Sequence, residues 1–220
     1  MKTAVVVCNG PSLAEVPNEW LDQFTTFGHN RIHLKDGFIP TYLSICDNVM
    51  AKTPEMVYPI LDMIPKVEHT FLTYWSASAI SEIYPLPNEK ISVFFLRQWS
   101  NRKTGEILTR FGTNPLKHLV HGYTVTYFTM QIAAWMGYKR LLCVGLDHDY
   151  GGADHFHPDY NEADIDYSTY NEWWDARTRP HFECARAYFE SVGGEVINCT
   201  PNSKLNVFPI TDWRDYGRNN

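Results

Sequence analysis

The stretch Ala4-Val5-Val6-Val7-Cys8-Asn9-Gly10-Pro11-Ser12 runs from unbroken apolar sequence straight into a turn that opens toward a helix. A continuous run rich in β-branched residues suits a strand covered on both faces, as in the middle of a parallel sheet. In the turn, Gly10 tolerates backbone angles closed to other residues, Pro11 suits a first helical position, and Ser12 adds a hydroxyl beside free helix N–H groups. Such a loop can cradle a phosphate or a ribose, and taken alone it serves equally well as a tight strand-to-helix turn. It is not the dinucleotide fingerprint, whose second and third glycines are missing. Nor is it a Walker loop, since no Gly-Lys-Ser/Thr follows.

Working outward, further strands read at Thr26 to Leu34, Thr41 to Cys46, Thr70 to Tyr74 and Ile91 to Leu96, set off by turn residues such as Lys35-Asp36-Gly37 and Pro85-Leu86-Pro87. Thr124 to Met136 is helix-length and apolar on more than one face, and Gly137 stops it before a strand at Arg140 to Gly145. Phe182, Ala185, Phe189 and Val192 recur at helical spacing, with Pro180 and His181 at the start of that helix. Gly193-Gly194 ends it, and Glu195 to Cys199 forms a last strand. Alternating helices and strands predict an α/β fold, a Rossmann-like, mostly parallel sheet with helices on both faces. At 220 residues the chain fits one domain, residues 1–220. Aromatic residues make up 15% of it, and many fall between Tyr150 and Trp174 beside Asp and Glu. That mixture suits a lid, residues 150–178, folding over a polar ligand after the strand that ends near Gly145.

A net charge of −6 without any Lys/Arg cluster argues against a nucleic-acid partner, because phosphate neutralisation needs a basic stripe. No stretch approaches the ~18 to 20 apolar residues of a membrane span, and Met1-Lys2-Thr3 leads directly into the first strand. The expectation is a soluble, cytoplasmic protein. Five scattered cysteines, mostly within apolar runs, read as reduced core thiols with neither a disulfide framework nor a zinc site.

Ligands of open parallel sheets bind beyond the carboxyl ends of the strands, so the residues there become the site candidates. These are Asn9, Gly10 and Ser12 after the first strand, Asn30 after the second, Asp47 with Asn48 after the third, and Thr200-Pro201-Asn202-Ser203 after the last. Ribose hydroxyls and nucleobase edges call for such groups, though Asn and Asp also supply ordinary turns. Thr124 and Thr126 open the long helix, where a hydroxyl can cap it and free N–H groups can receive an anion. The strand through Gly145 delivers Asp147-His148-Asp149-Tyr150, with His155 and His157 close behind. The two aspartates have a spacing able to hold Mg²⁺ against a diphosphate, and equally serve turns and caps. The two histidines point to opposite sides of an extended segment, which disfavours a metal pair. His181 is a candidate general base, as imidazole titrates near neutral pH.

With these pieces in order, the chain resembles the bacterial lipooligosaccharide sialyltransferases of glycosyltransferase family 42. It also resembles the broader superfamily that holds the flagellin-glycosylation motility accessory factors and the archaeal 6-hydroxymethylpterin pyrophosphokinase. The resemblance rests on Val7 to Leu13, Asn30, the run Thr124 to Tyr150 and Cys199 to Ser203, while Asn48 to Gly122 matches poorly. It implies that Asn9, Ser12 and Asn30 contact a donor nucleotide and its phosphate, with Thr124 and Thr126 beside the sugar. The donor implied is CMP-sialic acid, transferred without metal or other cofactor. Asp47 stands where those enzymes carry an asparagine. Tyr150 stands for the first of two phosphate-stabilising tyrosines with a one-residue shift, and His155 falls at the second. Counting back from Pro201 places Arg177 where those enzymes carry the base, with His181 one helical turn further on.

The function expected is thus transfer from a nucleotide-activated sugar, most simply a CMP-sugar, to the hydroxyl of a glycan acceptor. His181 is the first candidate base and His155 the second, and Tyr150 stabilises the departing phosphate. Two alternatives remain: a pterin pyrophosphokinase holding Mg²⁺ between ATP and Asp147 with Asp149, and a nucleotide-binding protein without catalysis. Homo-oligomerisation is left open by the sequence.

Overall fold

The computed structural model describes residues 1–46, 54–83, 85, 89–101, 103–149, 155–160 and 170–217. Strands β1 (Thr3–Val7), β2 (Thr26–His29), β3 (Tyr42–Ile45), β4 (His69–Thr73) and β5 (Ile91–Phe94) follow one another in sequence. Short strands β6 (Leu96–Arg97), β7 (Trp99–Ser100), β8 (Ile107–Leu108) and β9 (Leu119–Val120) come next, then β10 (Arg140–Val144) and β11 (Glu195–Asn198). Five α-helices intervene: α1 (Asn18–Leu21), α2 (Pro54–Met63), α3 (Tyr74–Ile83), α4 (Val125–Trp135) and α5 (Tyr170–Ser191). Seven strands form one sheet in the order β11-β10-β1-β2-β3-β4-β5, and every pairing in it is parallel. This is the doubly wound α/β architecture expected from the alternating pattern.

Alternation along β1 decides the two cores. Ala4, Val6 and Cys8 face α4 and α5, in a cluster with Phe27, Phe71, Leu141, Tyr127, Phe128 and Phe182. Val5 and Val7 face the other side, where Leu13, Trp20, Leu43, Ile60 and Ile80 pack. Every residue of β1 from Ala4 to Val7 is fully buried, which is why the run shows no polar alternation. Helix α4 is buried without interruption from Thr126 to Ala133, as its apolar character all round requires. Its Gln131 is wholly buried, with every hydrogen-bonding group used. Oε1 accepts from Gly112 and Val120 N–H, both at 2.9 Å, and Nε2 donates to the Val120 and Tyr127 carbonyls at 3.0 and 3.2 Å. The segment carrying β6 to β9 is thereby fastened to α4.

Four expectations from the sequence change. The second strand stops at His29, because Asn30 takes a left-handed φ of 40° and Ile32–Leu34 turns into a 3-10 helix. The fifth strand ends at Phe94, and Leu96–Arg97 pairs instead with Leu119–Val120 in a separate two-stranded sheet. The last helix begins at Tyr170, with Pro180 in its interior, so residues 170–178 of the expected lid are helix. Proline cannot donate to the carbonyl one turn back, and side chains near it turn onto the helix: Thr178 Oγ1 donates to the Trp174 carbonyl at 2.8 Å. Finally, the turn after β11 braces a neighbouring loop. Thr200 Oγ1 accepts from Leu146 N–H, and Ser203 Oγ donates to the Leu146 carbonyl at 2.6 Å. Among the described residues no helix is long and apolar enough to cross a membrane.

Candidate active site

The chain lays β1 to β5 outward in one direction and then returns to place β10 on the other side of β1. The loops after β1 and β10 therefore stand at the switch point of the sheet, where ligands of such folds bind. Gly10 and Gly145 allow the two loops to meet. A Cβ on Gly10 would lie 2.1 Å from Asp147 Oδ2, and Gly145, at φ 67°, would bring one to 2.5 Å from the Cys8 carbonyl.

Asp147 uses this closeness. Its Oδ2 accepts from Ser12 Oγ at 2.9 Å, and both carboxylate oxygens lie 3.3 Å from Ser12 N–H. Burial raises the Asp147 pKa, and the Ser12 bonds pull it back. The donors of Ser12 that resemble a phosphate cradle are thus occupied by the protein's own carboxylate. Next in the chain, His148 takes a φ of 55° and reaches Asp175 on α5, Nε2 to Oδ1 at 3.1 Å, while Asp149 is exposed. No group of three His, Cys, Asp or Glu side chains suited to a metal ion occurs among the described residues.

Asn9 heads the first of two polar groups. It is buried, and its Nδ2 donates to the His29 carbonyl at 3.2 Å and to the Tyr160 hydroxyl at 2.8 Å, while its Oδ1 has no partner among the described residues. Asn30 stands alongside: its N–H donates to the Ser44 carbonyl, its Oδ1 accepts from Cys46 N–H at 3.4 Å, and its side chain bonds the Tyr160 phenol. Tyr160 is buried and stacked flat on His155, ring centroids 3.8 Å apart, and Phe156 N–H donates to the Asn9 carbonyl. Residues 155–160 thus close over the ends of β1 and β2. His155 belongs to this group, beside the asparagines.

The second group surrounds the start of α4. Thr124 is the N-cap, its hydroxyl accepting from Thr126 N–H at 3.2 Å. Thr126 Oγ1 lies 3.5 Å from Cys8 Sγ, which seats the first turn of α4 over the end of β1 and joins the two groups. Burial pushes the Cys8 thiol up to about 12, so it is an inert core thiol. His181 is buried on α5, edge-on to Tyr123 at 5.8 Å and Tyr127 at 5.3 Å between ring centroids. Its Nδ1 sits 2.7 Å from the Arg177 carbonyl. A carbonyl only accepts, so Nδ1 carries the proton and the Nε2 lone pair is left to act as a base. Burial lowers the His181 pKa, with the carbonyl bond opposing.

The structure therefore gathers Asn9, Gly10, Ser12, Asn30, Thr124, Thr126, Asp147, His155 and His181 around the carboxyl end of β1. Asp47 and Tyr150 lie outside the described residues. Two participants escape sequence reading, His29 and Tyr160. Tyr160 is one aromatic among many in a polar segment, and only its contact with Asn9 distinguishes it. His29 ends a strand as an ordinary apolar-run residue would, yet its buried ring nitrogens both lack partners among the described residues.

Fold and site together define an α/β protein with buried polar groups gathered at its topological switch point. No protein-family model matches the sequence, and no curated protein matches it. The fold is similar to that of the sialyltransferase CstII from Campylobacter jejuni in complex with a substrate analogue, cytidine-5'-monophosphate. The TM-score is 0.54 at 12% identity, covering 96% of this chain and 85% of that one. A tyrosine-to-phenylalanine variant of sialyltransferase Cst-II in complex with CMP matches with a TM-score of 0.49 at 12% identity, over 94% of this chain and 84% of that one. At this identity the likeness is one of fold.

Proposed function

We propose that the protein is a glycosyltransferase that moves a sugar from a CMP-activated donor, CMP-sialic acid or a relative, to an acceptor hydroxyl without a metal ion. The observation that carries this reading is His181, a buried neutral imidazole with Nδ1–H committed to a carbonyl and Nε2 left basic beside the N-terminus of α4. Asn9 supports it with a buried acceptor, Oδ1, left unpaired among the described residues at the carboxyl end of β1. The structural relative bound to CMP has its nucleotide within the same fold.

In the reaction, the acceptor oxygen bonds to the anomeric carbon as the bond from that carbon to the phosphate oxygen breaks. The hydroxyl proton passes to His181 Nε2, and CMP leaves with the electron pair. The positive end of α4, capped by Thr124, favours the charge growing on the phosphate. Tyr150 would stabilise the departing phosphate, and residues 155–160 would exclude water that hydrolyses the donor.

The test is release of CMP from CMP-sialic acid, followed by chromatography with and without EDTA. Release that survives EDTA and falls by about 10²-fold or more in His181→Ala fits the proposal. No release from any CMP-sugar, with a thermal shift only for ATP and Mg²⁺, would overturn it.

A further inference from the structure

Aromatic side chains form a shelf that leads away from His181 along the carboxyl edge of the sheet. Tyr74 and Trp75 directly follow β4, and Phe95 directly follows β5. They are 48%, 46% and 62% exposed, unusual for three large rings placed together. Tyr74 and Phe95 stack nearly parallel, ring centroids 4.7 Å apart. Trp75 meets His121 edge-on at 6.1 Å, His121 meets Tyr123 at 5.0 Å, and Tyr123 meets His181 at 5.8 Å. A continuous ring path thus joins the candidate base to the open surface.

The shelf is amphipathic. Flat apolar faces lie beside the Tyr74 and Tyr123 hydroxyls and the Gln98 amide, which donates to the Tyr123 hydroxyl. A pyranose has this same composition, apolar C–H faces with a rim of hydroxyls. Rigid aromatic rings bind such a surface at small cost in side-chain entropy. The chain carries a net charge of −6, which disfavours an anionic polymer as the occupant. The path offers successive ring contacts, more than one sugar would use.

We infer that Tyr74, Trp75, Phe95 and His121 form an extended subsite for a neutral oligosaccharide acceptor, holding the sugars behind the one that reacts. The inference rests on the reading of the cleft as a glycosyltransferase site. It assigns acceptor length to the part of the chain between Asn48 and Gly122, the part that least resembles the sialyltransferases.

Saturation-transfer NMR with galactose, lactose and a neutral tetrasaccharide, each with CMP present, tests it. Transfer and affinity should rise with length, and Trp75→Ala and Phe95→Ala should weaken the tetrasaccharide about tenfold, toward the value for galactose, while the CMP thermal shift is unchanged. Both side chains are exposed, so the variants should fold. Equal binding at all lengths, variants that bind as the parent does, or no saccharide bound at all would overturn the inference. So would light scattering that shows a dimer dissociating in Phe95→Ala, because a second copy would then be the occupant. Saccharide binding that persists in a protein giving no CMP shift would support the shelf and refute the CMP reading alone.

Discussion

His29 should make the protein sensitive to acid, and replacing it with leucine should remove that sensitivity. The side chain is fully buried at the end of β2, both ring nitrogens lack partners among the described residues, and burial lowers its pKa from 6.5 to about 3. Below 6.5 the unfolded chain takes up a proton there that the folded chain refuses, so stability present above 6.5 is lost as pH falls toward 3. Going from about pH 7.5 to about pH 4.5 crosses roughly two of those units, at about 1.36 kcal/mol each, or about 2.7 kcal/mol. His29→Leu keeps the carbonyl that accepts from Asn9 and deletes two unsatisfied nitrogens, so at about pH 7.5 its stability should match or exceed the parent's by ~1 kcal/mol. Urea unfolding followed by tryptophan fluorescence at both pH values gives the difference directly. Other groups titrate equally in both proteins and cancel. Parallel losses in the two proteins would refute the reasoning, since His29 would then bind its proton in the folded state.

Gly10→Ala forces a Cβ against Asp147 Oδ2 and the Gly145 carbonyl. It should cost about 1–3 kcal/mol in thermal unfolding and weaken CMP binding. Gln131→Leu leaves the Gly112 and Val120 N–H groups buried without acceptors. The expected loss is about 3 kcal/mol, with faster hydrogen exchange at those two amides. The lowered pKa of His181 places the acid limb of kcat/KM below 6.5, with activity falling as Nε2 takes up a proton. His181→Gln should lose that limb together with about 10²- to 10⁴-fold in turnover.

What could be read ahead of the structure was whatever a single run of residues decides. β1, α4 and β10 are buried on all sides, and their unbroken apolar stretches say so. The start of α5 was hidden because Tyr170 to Arg179 mixes charge with aromatic residues and Pro180 imitates a first turn. β6 to β9 span two residues each, too short for any periodicity, and they hold their place through Gln131. Within the site, Asn9 and Asn30 were legible as types at strand ends, and His181 as an imidazole beside Pro180, although it lies in the interior of α5. Their partners were not: Ser12 with Asp147 and Asn9 with Tyr160 are joined across more than a hundred residues of chain.

The attachment of residues 112–120 to α4 through Gln131 divides the labour of the molecule. One end of α4 touches β1 through Thr126 and Cys8, where a donor would sit, and its middle carries the segment that reaches toward Trp75 and Phe95. Under the proposed function, a chain that retained α4 and exchanged residues 95–123 would keep its donor chemistry and acquire a different acceptor. In such a protein, specificity becomes a detachable module hung on one amide side chain.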